Sequence, residues 1–204
     1  MPHSDIDTKT TYQNICVYCG SSGRAPDVYK DAAIAMGKIL GESGLTLVYG
    51  GGSVGLMGLV ANSTLQNGGK AIGIIPRHIE AREIGHPDLT ELHVVDTMHT
   101  RKHMMVERSD AFVILPGGIG TMDEFFEILT WRQLGLHDKP IIVVNVNGYW
   151  TTIIETLEVM VREKFLRQED RDCVQVVDRP DQVMAALDVA PRGISDPTSK
   201  WGQS

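Results

Sequence analysis

Short apolar runs rich in β-branched residues alternate along the chain with longer segments in which apolar residues recur at helical spacing. The short runs predict strands at 14–19, 45–49, 70–75, 92–95, 111–115, 140–146 and 173–177. Several are apolar at nearly every position, which is typical of parallel strands buried on both faces. The longer segments predict helices at about 27–43, 54–67, 98–109, 121–135, 149–165 and 180–188. This alternation predicts a Rossmann-like, doubly wound parallel sheet of the α/β class.

The length of 204 residues predicts a single domain, large enough to bury most of its apolar surface in one core. The strand–helix pattern places that domain at residues 13–188. Residues 1–12 are polar, and residues 189–204 contain prolines, glycines and serines, so we expect flexible termini at both ends.

Composition and charge exclude several classes of function. The net charge of −7 and the pI of about 5.4 argue against a nucleic-acid partner, which would need a basic face. No window approaches the ~20 apolar residues of a membrane span, and the polar N-terminus lacks the apolar core of a signal peptide. Three cysteines are too few for a disulfide framework. We therefore expect a cytoplasmic protein with reduced thiols and no membrane partner.

Two closely spaced pairs of residues resemble metal or redox sites. Cys16 and Cys19 form a CxxC, but they lie in a predicted strand, where residues three apart point to opposite faces, so we interpret them as structural. His99 and His103 stand four residues apart on a predicted helix, without the glutamate that follows the first histidine in zinc proteases. We therefore predict no metal site.

Three predicted strands end in polar, glycine-bearing loops: “CGSSG” (19–23), “GGGSVGLMG” (50–58) and “PGGIGT” (116–121). In doubly wound sheets, ligands bind beyond the carboxyl ends of the strands. We therefore expect the three loops to converge on one crevice, with Ser21, Gly51 and Gly52 among the substrate-binding residues.

The stretch “GGGSVG” (50–55) also matches two other patterns formally. As a GxGxxG dinucleotide fingerprint it lacks the acid at the end of the next strand, and it opens the second strand–helix unit instead of the first. As a GxSxG nucleophile elbow around Ser53 it lacks a later histidine near the chain end. We interpret Ser53 as the N-cap of the following helix.

The segment “LPGGIGTMDE” (115–124) places a glycine loop before a helix that we expect to start near Thr121. The free backbone N–H groups of such a loop bind anions, phosphate above all. Asp123 and Glu124 then fall in the first turn, where the helix dipole favours acids. A carboxylate beside a phosphate is useful where positive charge develops, as in the oxocarbenium-like transition state of glycosidic bond cleavage. The combination indicates a phosphorylated sugar with a bond to break, without distinguishing the two acids.

“PGGIGTMDE” (116–124) matches the pattern PGGxGTxxE, and “MHTRK” (98–102) precedes it at the expected distance. With “GGGSVGLMG”, these motifs make the chain similar, over roughly residues 13–188, to the LOG (“Lonely Guy”) family of cytokinin riboside 5′-monophosphate phosphoribohydrolases, long mislabelled as lysine decarboxylases. The resemblance implies a Rossmann-like homodimer. It would hydrolyse a nucleoside 5′-monophosphate, AMP included, to free base and ribose 5-phosphate. Neither a redox cofactor nor a metal is implied.

The resemblance also implies roles for individual residues. Arg101 and Glu124 match the catalytic arginine and glutamate. The phosphate loop corresponds to Gly117, Gly118, Gly120 and Thr121. Further substrate contacts correspond to Glu83, Lys102 and Thr130. The chain departs from the pattern at Asp123, where many relatives carry glutamate, and at Ile119, where tyrosine is frequent.

Two other functions stay open at this point. The same phosphate loop could bind a nucleotide and signal its presence without chemistry, although such a sensor has less need of the Arg101 and Glu124 pair. A pyridoxal-phosphate decarboxylase, as the old family label suggests, would need a Schiff-base lysine, and Lys102 is the only lysine that the motifs place near the site. The sequence does not distinguish adenine from an N6-prenylated adenine as the preferred base.

Overall fold

The structure is a computed structural model, and it describes residues 12–79, 86–191 and 193. Its strands are β1 (Asn14–Tyr18), β2 (Thr46–Tyr49), β3 (Lys70–Pro76), β4 (Glu91–Val95), β5 (Ala111–Ile114), β6 (Ile141–Val144) and β7 (Val174–Val177). Its α-helices are α1 (Asp27–Glu42), α2 (Gly55–Gln66), α3 (Met98–Glu107), α4 (Ile119–Gln133), α5 (Thr151–Arg162), α6 (Gln168–Asp172) and α7 (Val183–Val189). The predicted strands and helices are confirmed to within a few residues. Helix α6 escaped prediction because its five residues are all polar.

The seven strands form one parallel sheet in the order β4-β3-β2-β1-β5-β6-β7. The chain moves outward from β1 to β4, then returns to the other side of β1 at β5 and moves outward again. This reversal puts the topological switch point between β1 and β5, where doubly wound sheets bind their ligands. The predicted fold class, a single α/β domain with a doubly wound sheet, is confirmed.

Apolar side chains cover both faces of the sheet. One buried cluster joins the sheet to α1, α2 and α7, and the other joins it to α3, α4 and α5. Cys16 belongs to the second cluster and Cys19 to the first, so the two thiols point to opposite faces, as predicted for a strand. All three cysteines are buried and free.

The loops after β1 and β2 are tied to each other at the start of α2. The Leu56 N–H donates a 2.9 Å hydrogen bond to the Gly20 carbonyl. Gly55 has a φ of 68°, and a Cβ there would overlap the Ser21 backbone, so only glycine fits. The predicted cap at Ser53 was wrong: the N-cap is Val54, without a side-chain hydrogen bond. The left-handed glycine sets this turn, so no side-chain cap defines it.

Within the described ranges, the structure contains no helix with the length and apolar character that crossing a bilayer would require.

Candidate active site

A crevice of about 270 Å³ opens beyond the carboxyl ends of β1, β2 and β5. Its polar lining comes from the three glycine-bearing loops and from α3 and α4, and includes Gly20, Ser21, Gly50, Arg101, Gly118, Gly120, Thr121, Asp123 and Glu124. Val17, Tyr18, Cys19, Met57, Met98 and Ile119 complete it. The predicted convergence of the loops on one crevice is therefore confirmed.

The glycine loop leads into α4 with its backbone donors exposed to the crevice. Gly118 is the N-cap, and the Met122 N–H donates to the Gly118 carbonyl at 3.1 Å. The N–H groups from Gly118 to Thr121 therefore have no acceptor within the helix. A Cβ added at Gly118 or Gly120 would meet nothing within 4 Å, so the space beside these two residues is open. A phosphate could approach the bare backbone closely.

The helix that follows begins at Ile119, two residues before the predicted start near Thr121. Asp123 and Glu124 consequently lie in the second turn, and the first turn contains no acid. The prediction of two first-turn acids was wrong, because Gly118 and Gly120 were assigned to the loop. Glycine is unfavourable mainly in helix interiors, and Gly120 sits in the first turn. The helix dipole, which acts over the first turn, therefore does not account for these two carboxylates.

Helix α3 presents Arg101 to the crevice from the opposite side. Thr97 caps the helix: its Oγ1 accepts a 3.0 Å hydrogen bond from the Thr100 N–H. One turn later the Arg101 side chain lies buried, with Nη2 donating to the Gly50 carbonyl at 3.4 Å. Its Nε is also buried and has no hydrogen-bond partner among the described residues. Such a donor is costly to bury unless a ligand or water satisfies it.

Arg101 and Glu124 form an ion pair inside the crevice. Nη2 of Arg101 lies 3.9 Å from Oε1 of Glu124, and the two side chains are only 7% and 12% exposed. This distance is longer than a hydrogen bond, so the two charges attract each other without a direct hydrogen bond between them. A buried guanidinium and a nearly buried carboxylate thus face the same cavity, beside the open donors of the glycine loop.

Lys102 points away from this pair, toward the outer side of α4. Its Nζ lies 3.1 Å from Asp123 Oδ2 and 3.0 Å from Glu127 Oε1. Burial alone would lower the pKa of Lys102, but the hydrogen bonds to Glu127 and Asp123 outweigh it and raise the pKa. The Asp123 side chain is 58% exposed, against 12% for Glu124. The structure thus distinguishes Asp123 from Glu124, which the sequence alone did not.

The other candidate residues fall into three groups. Ser21 lines the crevice, as expected. Gly51 and Gly52 are buried and are not among its lining residues; Gly50, which was not predicted, occupies that place and accepts the Arg101 hydrogen bond. Gly117, Lys102 and Thr130 also lie outside the described lining of the crevice. Gly117 lines a neighbouring hollow, and Thr130 is exposed on α4, ~9 Å along the helix axis from Glu124. Glu83 lies outside the described residues.

Several residues that line the crevice escaped prediction: Tyr18, Gly50, Met57 and Met98. Gly50 carried a signal, since it is the first residue after β2. The other three carried none, because an apolar side chain at the mouth of a cavity has the same sequence pattern as one in the core.

The described cysteine and histidine side chains near the crevice are not arranged for thiol or metal chemistry. Burial first, and the Glu124 carboxylate second, raise the pKa of the Cys19 thiol, which keeps it protonated and unreactive. His103 pairs with Glu107, Nε2 to Oε1 at 3.2 Å, on the exposed side of α3. No group of three or more metal-ligating side chains occurs in the part of the chain that the structure describes.

A doubly wound sheet with a glycine loop that opens a helix, and with a nearly buried Arg–Glu pair beside its switch point, defines the class: an α/β protein whose crevice contains ionisable side chains and open backbone N–H groups. A model of the family described as “Possible lysine decarboxylase” matches residues 57–187. The cytokinin riboside 5′-monophosphate phosphoribohydrolase LOG1 of Arabidopsis thaliana is 40% identical over 188 residues, 92% of this chain and 88% of that protein. The one from Rhodococcoides fascians is 42% identical over 190 residues, 92% of this chain and 96% of its own. The chain therefore belongs to the LOG family, and the resemblance read from its motifs is confirmed.

Solved structures of other proteins share the fold of this chain. The molybdenum cofactor carrier protein of Chlamydomonas reinhardtii superposes with a TM-score of 0.67 at 19% identity, over 87% of this chain and 96% of that one. The molybdenum cofactor binding protein of Rippkaea orientalis gives 0.66 at 20% identity, over the same shares. At this identity they establish a shared architecture and nothing about the ligand.

Proposed function

We propose that the protein hydrolyses the N-glycosidic bond of a nucleoside 5′-monophosphate and releases the free base and ribose 5-phosphate. Relatives at about 40% identity across most of the chain are named as cytokinin riboside 5′-monophosphate phosphoribohydrolases. The observation that carries the proposal is the buried Arg101–Glu124 pair, which faces the same cavity as the open N–H groups of the glycine loop.

The proposed mechanism follows from this arrangement. The 5′-phosphate accepts hydrogen bonds from the N–H groups between Gly118 and Thr121, which places the ribose over Glu124. As the bond between C1′ and the base nitrogen breaks, the Glu124 carboxylate stabilises the oxocarbenium-like sugar. The oxygen of a water molecule then bonds to C1′, and the proton that the water loses passes by way of Glu124 to the departing base. Arg101 holds Glu124 and orients the substrate.

Decarboxylation through a lysine Schiff base is disfavoured by the position of Lys102. The amine must be unprotonated to attack an aldehyde, whereas its two carboxylate partners raise the pKa of Lys102. It is also absent from the described lining of the crevice. The described part of the crevice therefore contains no lysine suited to pyridoxal phosphate.

The experiment that tests the proposal is an incubation of the purified protein with AMP and, separately, with isopentenyladenosine 5′-monophosphate. Free base is then separated by chromatography, with Glu124→Gln as the comparison. Base released by the wild type and lost in the variant supports the proposal and ranks the two bases. Tight binding without any base would indicate a nucleotide-binding module instead, and the proposal would fail.

We extend the proposal to three finer points. The protein also converts AMP to adenine; it acts in the cytoplasm, without nucleic-acid or membrane partners; and it forms a homodimer. The family resemblance supports the dimer, and Leu136 and Phe165, which are 67% and 82% exposed, are apolar side chains that a partner could cover. Light scattering measures the mass: a single-chain mass at micromolar concentration would refute the dimer.

A further inference from the structure

Tyr149 lies beside the glycine loop, outside the lining of the crevice, in a neighbouring hollow that shares Gly20, Ser21 and Gly118 with it. Its hydroxyl donates a 2.7 Å hydrogen bond to the Gly117 carbonyl. Its ring lines a second hollow of about 330 Å³, together with Ala25, Pro26 and Tyr29. No motif in the sequence pointed to this residue, and the mechanism above does not use it.

The turn that presents Tyr149 is held independently of the glycine loop. Asn145 Oδ1 accepts a 2.7 Å hydrogen bond from the Trp150 N–H, and the Trp150 side chain is buried in the core. Gly148, with a φ of 72°, makes the tight turn between them. The Tyr149 ring packs edge-on against Trp150 and Tyr29, with centroid distances of 4.9 and 5.3 Å. The hydroxyl group is therefore fixed in place although the residue is partly exposed.

Two carbonyl groups of the glycine loop accept hydrogen bonds from residues outside the loop. The Gly20 N–H donates to the Pro116 carbonyl at 3.0 Å, and Tyr149 donates to the Gly117 carbonyl. A trans peptide directs its C=O and N–H to opposite sides, and no peptide is cis in the described chain. With its carbonyl held on the Tyr149 side, the Gly117–Gly118 peptide directs the Gly118 N–H the other way, toward the crevice.

We propose that Tyr149 is a positioning residue for the substrate phosphate, because it fixes the Gly117–Gly118 peptide with its N–H directed at the anion. This inference rests on the proposed function for the identity of the anion. A peptide between two glycines rotates at low steric cost. Rotation would withdraw a donor and turn a carbonyl oxygen, which repels phosphate, into the site. An anchor outside the loop prevents this.

The test is Tyr149→Phe, which removes the hydroxyl and keeps the ring, with Tyr29→Phe as the matched control. Tyr29 lines the same hollow and packs on Tyr149, but among the described residues its hydroxyl makes no hydrogen bond to the loop, whereas that of Tyr149 does. For Tyr149→Phe we expect the KM for AMP to rise about 2- to 10-fold, the worth of one neutral hydrogen bond, with kcat nearly unchanged. The inhibition constant of ribose 5-phosphate should rise by the same factor, and that of adenosine, which lacks the phosphate, should not. Tyr29→Phe should change neither.

A merely structural role would lower the unfolding temperature and affect adenosine and ribose 5-phosphate alike. Unchanged KM and inhibition constants in Tyr149→Phe, or equal weakening of both ligands, would overturn the inference. If the wild type released no base from any nucleotide, the proposed function would fail on its own. Calorimetric binding of ribose 5-phosphate to the wild type and to Tyr149→Phe would still decide the role of Tyr149, and equal affinities, or no binding at all, would count against it.

Discussion

Arg101 and Glu124 approach each other from two different helices, and Nη2 of the arginine stops 3.9 Å from Oε1 of the glutamate. Both side chains are nearly buried, and the same Nη2 of the arginine donates a hydrogen bond to the Gly50 carbonyl. Removing one partner of a buried pair leaves an uncompensated charge, which is far costlier than losing a surface ion pair. A substitution of either residue is therefore expected to affect both catalysis and the stability of the structure around the crevice.

Glu124→Gln should lower kcat for a nucleoside 5′-monophosphate by at least ~10²-fold, about 2.7 kcal/mol, because the amide cannot stabilise the sugar cation or accept a proton. Asp123→Asn is the matched control: Asp123 is exposed and paired with Lys102, so we expect a loss below about tenfold. The measurement is base release under saturating substrate. Near-normal turnover in Glu124→Gln, together with inactivity in Asp123→Asn, would exchange the two roles.

Gly50→Ala should strongly reduce activity without unfolding the protein. A Cβ at this position would overlap Arg101 Nη2 and lie 3.2 Å from Met57 Sδ, so the guanidinium must leave its place beside Glu124. Gly23→Ala is the control, because a Cβ there meets nothing within 4 Å. We expect Gly50→Ala to lose at least ~10²-fold in kcat/KM, comparable to the loss of one electrostatic stabiliser. Activity within a fewfold of that of Gly23→Ala would show that Arg101 is not needed there.

The fold was predictable because its signals are local. Runs such as “AFVIL” (111–115) are apolar at every position and contain β-branched and aromatic residues, which is typical of a buried parallel strand. The prediction of an anion site at the glycine loop rests on a local pattern as well. The start of α4 was not predictable, because Gly118 and Gly120 fit a loop or a first helical turn equally well. The partners of Arg101 and Lys102 depend on how α3 packs against α4, and no local pattern encodes this.

Lys102 offers a test of that packing. Its amine bridges Asp123 and Glu127, which lie one turn apart on α4 and repel each other without it. In a double-mutant cycle of Lys102→Met and Glu127→Gln, monitored by urea unfolding, we expect a coupling energy of about 0.5–1 kcal/mol. Zero coupling, together with a raised KM for AMP in Lys102→Met, would instead assign the lysine to the substrate, as the family resemblance implies.

The protonation of His137 should make the free energy of unfolding depend on pH. Its Nε2 lies 2.8 Å from the Ile128 carbonyl, and its Nδ1 accepts a 3.2 Å hydrogen bond from the Lys139 N–H, so the ring is neutral with its proton on Nε2. Burial, chiefly, lowers the pKa of His137 to about 4. In the unfolded chain the pKa is near 6.5, so the unfolded state binds more protons between these two values. The stability that His137 contributes is therefore complete above about pH 6.5 and is lost as the pH falls toward 4.

Between pH 7 and pH 5 this single histidine should reduce the free energy of unfolding by about 2 kcal/mol. In His137→Gln, the free energy of unfolding should fall less steeply between pH 7 and pH 5, with a slope that is smaller by up to one proton. Urea unfolding at several pH values measures this slope, whatever the substitution costs in stability at pH 7. His103→Gln is the matched control, because the His103 side chain is 58% exposed and its ion pair with Glu107 lies on the surface. If His137→Gln left the slope between pH 7 and pH 5 as steep as in the wild type, the ring would not be the buried, neutral hydrogen-bonding group that links α4 to the segment before β6.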